Sequence, residues 1–136
     1  MEIKKFVFEK HGDKDGQLVA LENCKNIPFE VKRVYYIFDT LTTVTRGKHA
    51  HKNLQQVLLC IHGSCKIRLD DGNETETVLL DKPNEGIYLT NLVWREMYDF
   101  SEDAVLLVLA SEYYNKDDYI RDYDEFKQYK QKLGPE

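Results

Sequence analysis

The stretch "RGKHAHKNLQQVLLCIHG", residues 46 to 63, sets His49 and His51 one residue apart, just ahead of an apolar run. Side chains alternate along a strand, so both imidazoles point to one face about 7 Å apart and can address one small cavity. Arg46 precedes the pair and Lys52 follows it. Upstream, "RVYYIFD" turns Arg33, Tyr35 and Ile37 to one face and Val34, Tyr36 and Phe38 to the other. Imidazole, phenol and guanidinium together suit proton transfer beside an anion, and histidine titrates nearest neutrality. A histidine in a β-domain is often just a satisfied polar residue, and His11 and His62, placed at turns, read as surface residues. The neighbours of His49 and His51 argue for chemistry.

The elements that must position these groups are short. "IKKFVFE", "QLVALE", "RVYYIFD", "QQVLLCIHG", "CKIRLDD", "TVLLD", "GIYLTN" and "AVLLVLAS" read as strands, separated by turn signals such as His11-Gly12, His62-Gly63, Asp71-Gly72 and Pro83. The spacing predicts an all-β sandwich or barrel. In "QQVLLCIHG" both parities are apolar, which predicts cover on both faces by a second sheet or a subunit. From Lys116 the period changes. Tyr119, Ile120, Tyr123, Phe126 and Leu133 recur at helical spacing behind acidic residues, predicting a C-terminal amphipathic helix over 116–133 whose tyrosines pack rather than react.

The 136 residues fit one domain, 1–136, able to bury a core without metal or disulfide staples. No segment approaches the roughly 20 apolar residues of a membrane span. "MEIKKFVFEK" has no apolar signal region, so the expected location is the cytoplasm. Cys24, Cys60 and Cys65 form no CxxC and read as free thiols. A net charge of -5 argues against a nucleic-acid partner, which needs a basic face, and leaves room for a small anion held by a few arginines.

The histidine spacing resembles the first motif of metal-binding cupins, in which two histidines and a glutamate are ligands. Four residues separate His51 from Gln56 and six more lead to Gly63, but the carboxylate has become an amide. In "DKPNEGIYLTNLVWREMYDF" the place of the last ligand histidine is filled by Trp94-Arg95. Arginine stays protonated and repels a cation, so this donor set suits no divalent metal.

"KRVYYIFD", "RGKHAHKNLQQVLLCIHGSCKIRLDDG", "VWREMYDFS" and "LVLASEYYNKDDYIRDYDEFKQY" resemble the nucleotide-sugar 3,4-ketoisomerases over nearly the whole chain. The resemblance implies a cupin jelly-roll barrel with a C-terminal helix, no metal and no cofactor, and a homodimer exchanging N-terminal strands, here residues 1–10. It implies conversion of dTDP-4-keto-6-deoxy-D-glucose to the 3-keto isomer, made for amination and use in a surface glycan. By analogy His49 is the principal base, Tyr35 donates to the oxyanion or relays the proton, and His51 is a second acid/base or an orienting partner. Arg33, Arg46 and Lys52 are assigned to the diphosphate, and Trp94 and Arg95 to the substrate. Arg95 donates hydrogen bonds but is a poor proton donor, which leans the expectation toward the gluco product. Two other readings are a non-catalytic sugar-nucleotide-binding cupin and a 3,5-epimerase. Epimerases pair their base histidine with an aspartate and tend to be longer.

Overall fold

The computed structural model describes residues 3–133. Residues 1, 2 and 134–136, at the ends of the expected 1–136 domain and of the 1–10 strand segment, lie outside the described residues. In chain order the strands are β1 (Lys4–Val7), β2 (His11–Asp13), β3 (Gly16–Leu18), β4 (Arg33–Ile37), β5 (Arg46–His51) and β6 (Gln56–His62). Then come β7 (Cys65–Asp70), β8 (Thr75–Leu80), β9 (Glu85–Leu89), β10 (Trp94–Tyr98), β11 (Val105–Ala110) and β12 (Tyr119–Ile120), followed by helix α1 (Tyr123–Lys132). They form two five-stranded sheets, β1-β9-β6-β11-β4 and β12-β5-β10-β7-β8, with β2-β3 as a separate hairpin. All pairings in the two sheets are antiparallel. This is the expected all-β jelly roll. Among the described residues no helix is long and apolar enough to cross a membrane.

Alternation builds the core. Leu58 and Cys60 of β6, Ile67 and Leu69 of β7, Ile87 of β9 and Leu106 and Val108 of β11 meet between the sheets in one buried cluster. The other parity of β6, Val57 and Leu59, is also buried, but under Phe8, Ile27 and Phe29 of the chain's own N-terminal region. On this face, within the single chain, the cover is the N-terminal region and not a second sheet. β1 lies along β9 of its own chain, while of "QLVALE" only Gln17 and Leu18 join a strand, in the small hairpin.

The helix expected over 116–133 is shorter. Asn115 caps a single 3-10 turn at Lys116–Asp118, Tyr119 and Ile120 then pair with His51 and Ala50 of β5, and α1 starts behind Asp122, whose carboxylate caps it. The spacing of Tyr119 and Ile120 suits a helix face, but burying Ile120 with Ala50, Trp94 and Phe126 stabilises the strand instead. Cys24, Cys60 and Cys65 are free thiols.

Candidate active site

A bulge aims the histidines. Opposite β10, the register of β5 slips between Arg95 and Glu96, which face His49 and Gly47, so Lys48 is the extra residue. Gly47 has φ 87°, and a Cβ there would stand 3.1 Å from the Arg95 carbonyl oxygen, so this close approach of β5 to β10 favours glycine. Beyond the bulge Ala50 turns outward under α1 while His49 and His51 turn into the barrel mouth. His49 Nδ1 lies 2.9 Å from the Gly47 carbonyl oxygen, the two Nε2 atoms are 3.1 Å apart, and His51 Nδ1 lies 3.0 Å from Asp118 Oδ2. Asp118 Oδ1 accepts the Asn53 backbone N–H at 2.8 Å.

The opposing sheet contributes Arg33 and Tyr35 from β4 and Gln56 from β6. Arg95, fully buried on β10, donates Nη1–H to Gln56 Oε1 and Nη2–H to the Val93 carbonyl oxygen at 3.1 Å. Guanidinium only donates, so the Gln56 oxygen faces Arg95 and its NH₂ faces Tyr35, donating to the phenol oxygen at 3.0 Å. The Tyr35 hydroxyl hydrogen is thereby left for another acceptor.

Tyr119 closes the arrangement, its ring centre 5.0 Å from that of His49 and 4.4 Å from that of His51, with the Arg121 guanidinium 4.2 Å from the Tyr119 ring. Two clefts share Arg33 and Tyr119 as a wall. One, of about 350 Å³, is lined by Tyr35, Arg46, His49, Met97 and Arg121 among others; the second, of about 570 Å³, by His51, Asn53, Tyr113, Tyr114 and Asp118. Arg33 Nε is buried and, among the described residues, makes no hydrogen bond. An anionic chain overall thus presents a cationic cleft built from Arg33, Arg46 and Arg121.

Burial, and then the Arg95 charge, hold both imidazoles neutral: His49 is pulled down to about 4, and His51, which also feels His49, to about 2. Burial raises the Tyr35 phenol against the pull of Arg95, and lowers Arg95 to about 10. The site therefore holds bases that are unprotonated at neutral pH and a phenol that keeps its proton. Among the described residues no group of three or more His, Cys, Asp and Glu side chains is arranged to hold a metal ion.

Of the sequence-predicted residues, His49, His51, Tyr35, Arg33, Arg46 and Arg95 gather here. Two do not. Trp94 lies on the outer face of β10, packed against Tyr123 and Phe126 with its N–H on Glu96, because neighbouring strand residues face opposite ways. Lys52, at the end of β5, reaches the Tyr129 ring of α1 and lines neither cleft. Asp118, Tyr119 and Arg121 escaped sequence reasoning because the helix expected there made Tyr119 a packing residue and gave Asp118 and Arg121 no role. The His51–Asp118 pair also removes the aspartate criterion that was to set epimerases apart.

Fold and site together define a cupin-type barrel fitted with acid–base groups at its mouth. The chain belongs to the family described as FdtA: WxcM-like, C-terminal, whose profile matches residues 1–131. It is 55% identical, over 100% of its length and 98% of the relative's, to a TDP-4-oxo-6-deoxy-alpha-D-glucose-3,4-oxoisomerase from Aneurinibacillus thermoaerophilus. Two solved structures are similar throughout. A histidine-to-asparagine mutant of the 3,4-ketoisomerase QdtA from Thermoanaerobacterium thermosaccharolyticum, in complex with TDP-4-keto-6-deoxyglucose, matches with TM-score 0.95 and 47% identity over 98% of this chain and 97% of its own. The TDP-quinovose 3,4-ketoisomerase WlaRB from Campylobacter jejuni matches with TM-score 0.89 and 52% identity over 93% and 97%.

Proposed function

We propose that the protein is a sugar 3,4-ketoisomerase that moves the ketone of dTDP-4-keto-6-deoxy-D-glucose from carbon 4 to carbon 3. One observation carries the reading: neutral imidazoles on one sheet and a phenol with a free hydrogen on the other line the mouth of a cationic cleft, in a chain closely related to enzymes named for that reaction. The C3 hydrogen is acidified by the neighbouring carbonyl. His49 takes it, the C–H electrons form the C3–C4 π bond, and the carbonyl electrons move to O4. The π electrons then take a proton at C4 while the O3 hydroxyl loses its proton and O4 gains one, leaving the ketone at C3. Oxidation at one carbon matches reduction at its neighbour, so the reaction proceeds without a redox cofactor, and the proposal gives no step to a metal.

The C3 and C4 hydrogens of a gluco sugar lie on opposite ring faces. A gluco product therefore takes its C4 proton from a group facing His49 across the sugar, and Tyr35, on the opposing sheet, fills that role. The relative named for TDP-quinovose, a 6-deoxyglucose, supports the same configuration. Arg33, Arg46 and Arg121 take the diphosphate, for which the guanidinium fork is shaped. The reading includes a homodimer in which the N-terminal strands exchange, the partner's β1 taking the place beside β9, and a role in supplying a 3-keto sugar for amination.

The test is turnover in deuterium oxide followed by NMR. The product should carry solvent deuterium at C4 with gluco couplings. His49→Asn should keep TDP affinity and lose turnover by roughly a hundredfold or more. Wild type giving neither 3-keto sugar nor exchange would leave only a binding module.

A further inference from the structure

We infer that His49 and His51 act as one base with room for one proton, and that Asp118 is the positioning residue that keeps both Nε2 atoms bare until that proton arrives between them. The inference rests on the ketoisomerase reading for what the proton is, and on hydrogen counting for the rest.

A carbonyl oxygen only accepts, so His49 Nδ1, 2.9 Å from that of Gly47, carries a hydrogen. An ionised carboxylate also only accepts. Asp118 takes the Asn53 N–H on one oxygen, so its other oxygen, 3.0 Å from His51 Nδ1, receives a hydrogen from that ring. A neutral imidazole has one N–H, and both are now spent. The two Nε2 atoms, 3.1 Å apart, therefore face each other as lone pairs at hydrogen-bond distance with no hydrogen between them. One added proton converts that repulsion into a charge-assisted hydrogen bond, whichever ring received it, and a second has no place.

The surroundings set when the gap fills. Arg95 from β10, Arg33 and Tyr35 from β4, Tyr119 of β12 and Arg121 just after it face the pair; Asp118 brings negative charge in direct contact with His51, and Glu112, paired with Lys32, lines the same cleft. Arginines and burial keep the resting gap empty at neutral pH. When the C3 proton enters, its charge is shared by two rings and offset by Asp118, while the arginines face the enediolate. His51 is thus half of the base rather than a separate acid.

The count makes Asp118→Asn harmful despite its equal size. The Asn53 N–H claims the variant's amide oxygen, which turns the amide NH₂ toward His51 Nδ1. That nitrogen must then accept, so the ring hydrogen moves to His51 Nε2 and donates to His49 Nε2. The gap is filled by His51's own hydrogen and no base remains. Holding a histidine in the wrong tautomer is severe in a serine protease, at about 10⁴-fold in kcat.

Two measurements decide it. With dTDP-4-keto-6-deoxyglucose, Asp118→Asn should lose kcat by roughly a hundredfold or more with KM nearly unchanged, whereas simple damage to the fold would move both. Nitrogen-15 NMR of the histidines, read without substrate at neutral pH, should show Nδ1–H and bare Nε2 on both rings of wild type, and Nε2–H on His51 of the variant. Wild-type kcat in Asp118→Asn, or an Nε2–H on either wild-type ring, overturns the inference. Should the variant fail to fold, the wild-type spectrum decides alone. A wild type with both Nε2 atoms bare but no turnover of this sugar supports the one-proton base and overturns only the choice of substrate.

Discussion

Gln56 separates stability from activity, because it links the buried charge of Arg95 to the phenol of Tyr35. Burial lowers Arg95 to about 10, a penalty on the order of a few kcal/mol at about 1.4 kcal/mol per pKa unit. Gln56→Glu sets a carboxylate against that guanidinium in an unchanged shape. After the carboxylate's own desolvation, about 1–2 kcal/mol should remain as added stability, a rise in Tm of about 3–10 °C for a chain of this size. The same carboxylate has no N–H to give Tyr35. The phenol must donate to it, its hydrogen turns away from the sugar, and negative charge stands beside the developing enediolate. Turnover should fall by about 10²–10³. Gln56→Leu works the other way: Arg95 loses an acceptor, costing about 1.5–3 kcal/mol, while Tyr35 keeps a hydroxyl free to swing toward the sugar. The expected order is Glu, Gln, Leu for stability and Gln, Leu, Glu for turnover, read by thermal unfolding and by NMR of the sugar. A Glu variant that turns over like wild type, or that melts below the Leu variant, would refute the account of Arg95, Gln56 and Tyr35.

Trp94→Ala should cost about 3–5 kcal/mol by removing the surface on which α1 rests, yet leave TDP affinity in the folded protein unchanged; titration calorimetry below Tm checks this. Arg33→Lys, Arg46→Lys and Arg121→Lys should each weaken TDP by roughly tenfold, since a point charge cannot reproduce a bidentate contact, and equal affinity would remove that residue from the anion site. Deleting residues 1 to 10 strips β1 from β9 and Phe8 from Val57 and Leu59, so it should damage both fold and assembly; a monodisperse wild-type monomer at micromolar concentration in light scattering would rule out the exchanged dimer. Activity should fall on the acid side. A histidine held below its unfolded value of about 6.5 is neutral in the fold, so stability rises with pH until the unfolded ring is also neutral and is lost as pH falls from about 6.5 toward the folded value of about 4 for His49. Denaturation midpoints at pH 7 and 5 should differ in that sense, and by less in His49→Asn.

What could be read from the sequence was whatever a single strand displays. His49 and His51 share a face because the period of a strand is two, and the same rule put Arg33 with Tyr35, all four lining the mouth as expected. The rule failed where both parities looked alike. In "VWREM" Val93 and Met97 could be core as readily as Trp94, and only pairing of Arg95 with Leu69, a core residue, decides that the arginine turns in and the tryptophan out. It failed again at "KDDYIRD", where helical spacing and acidic residues described a helix. The two-residue pairing of Tyr119 and Ile120 with His51 and Ala50, distant in sequence, makes it a strap over the site. A strand can carry a base, but not the groups that make it one. Neutral rings, bare Nε2 atoms and a phenol facing them depend on Arg95, Asp118 and Gln56, which come from three other elements. Their register is set by contacts far apart along the chain, so the chemistry became legible only once the two sheets stood opposite one another.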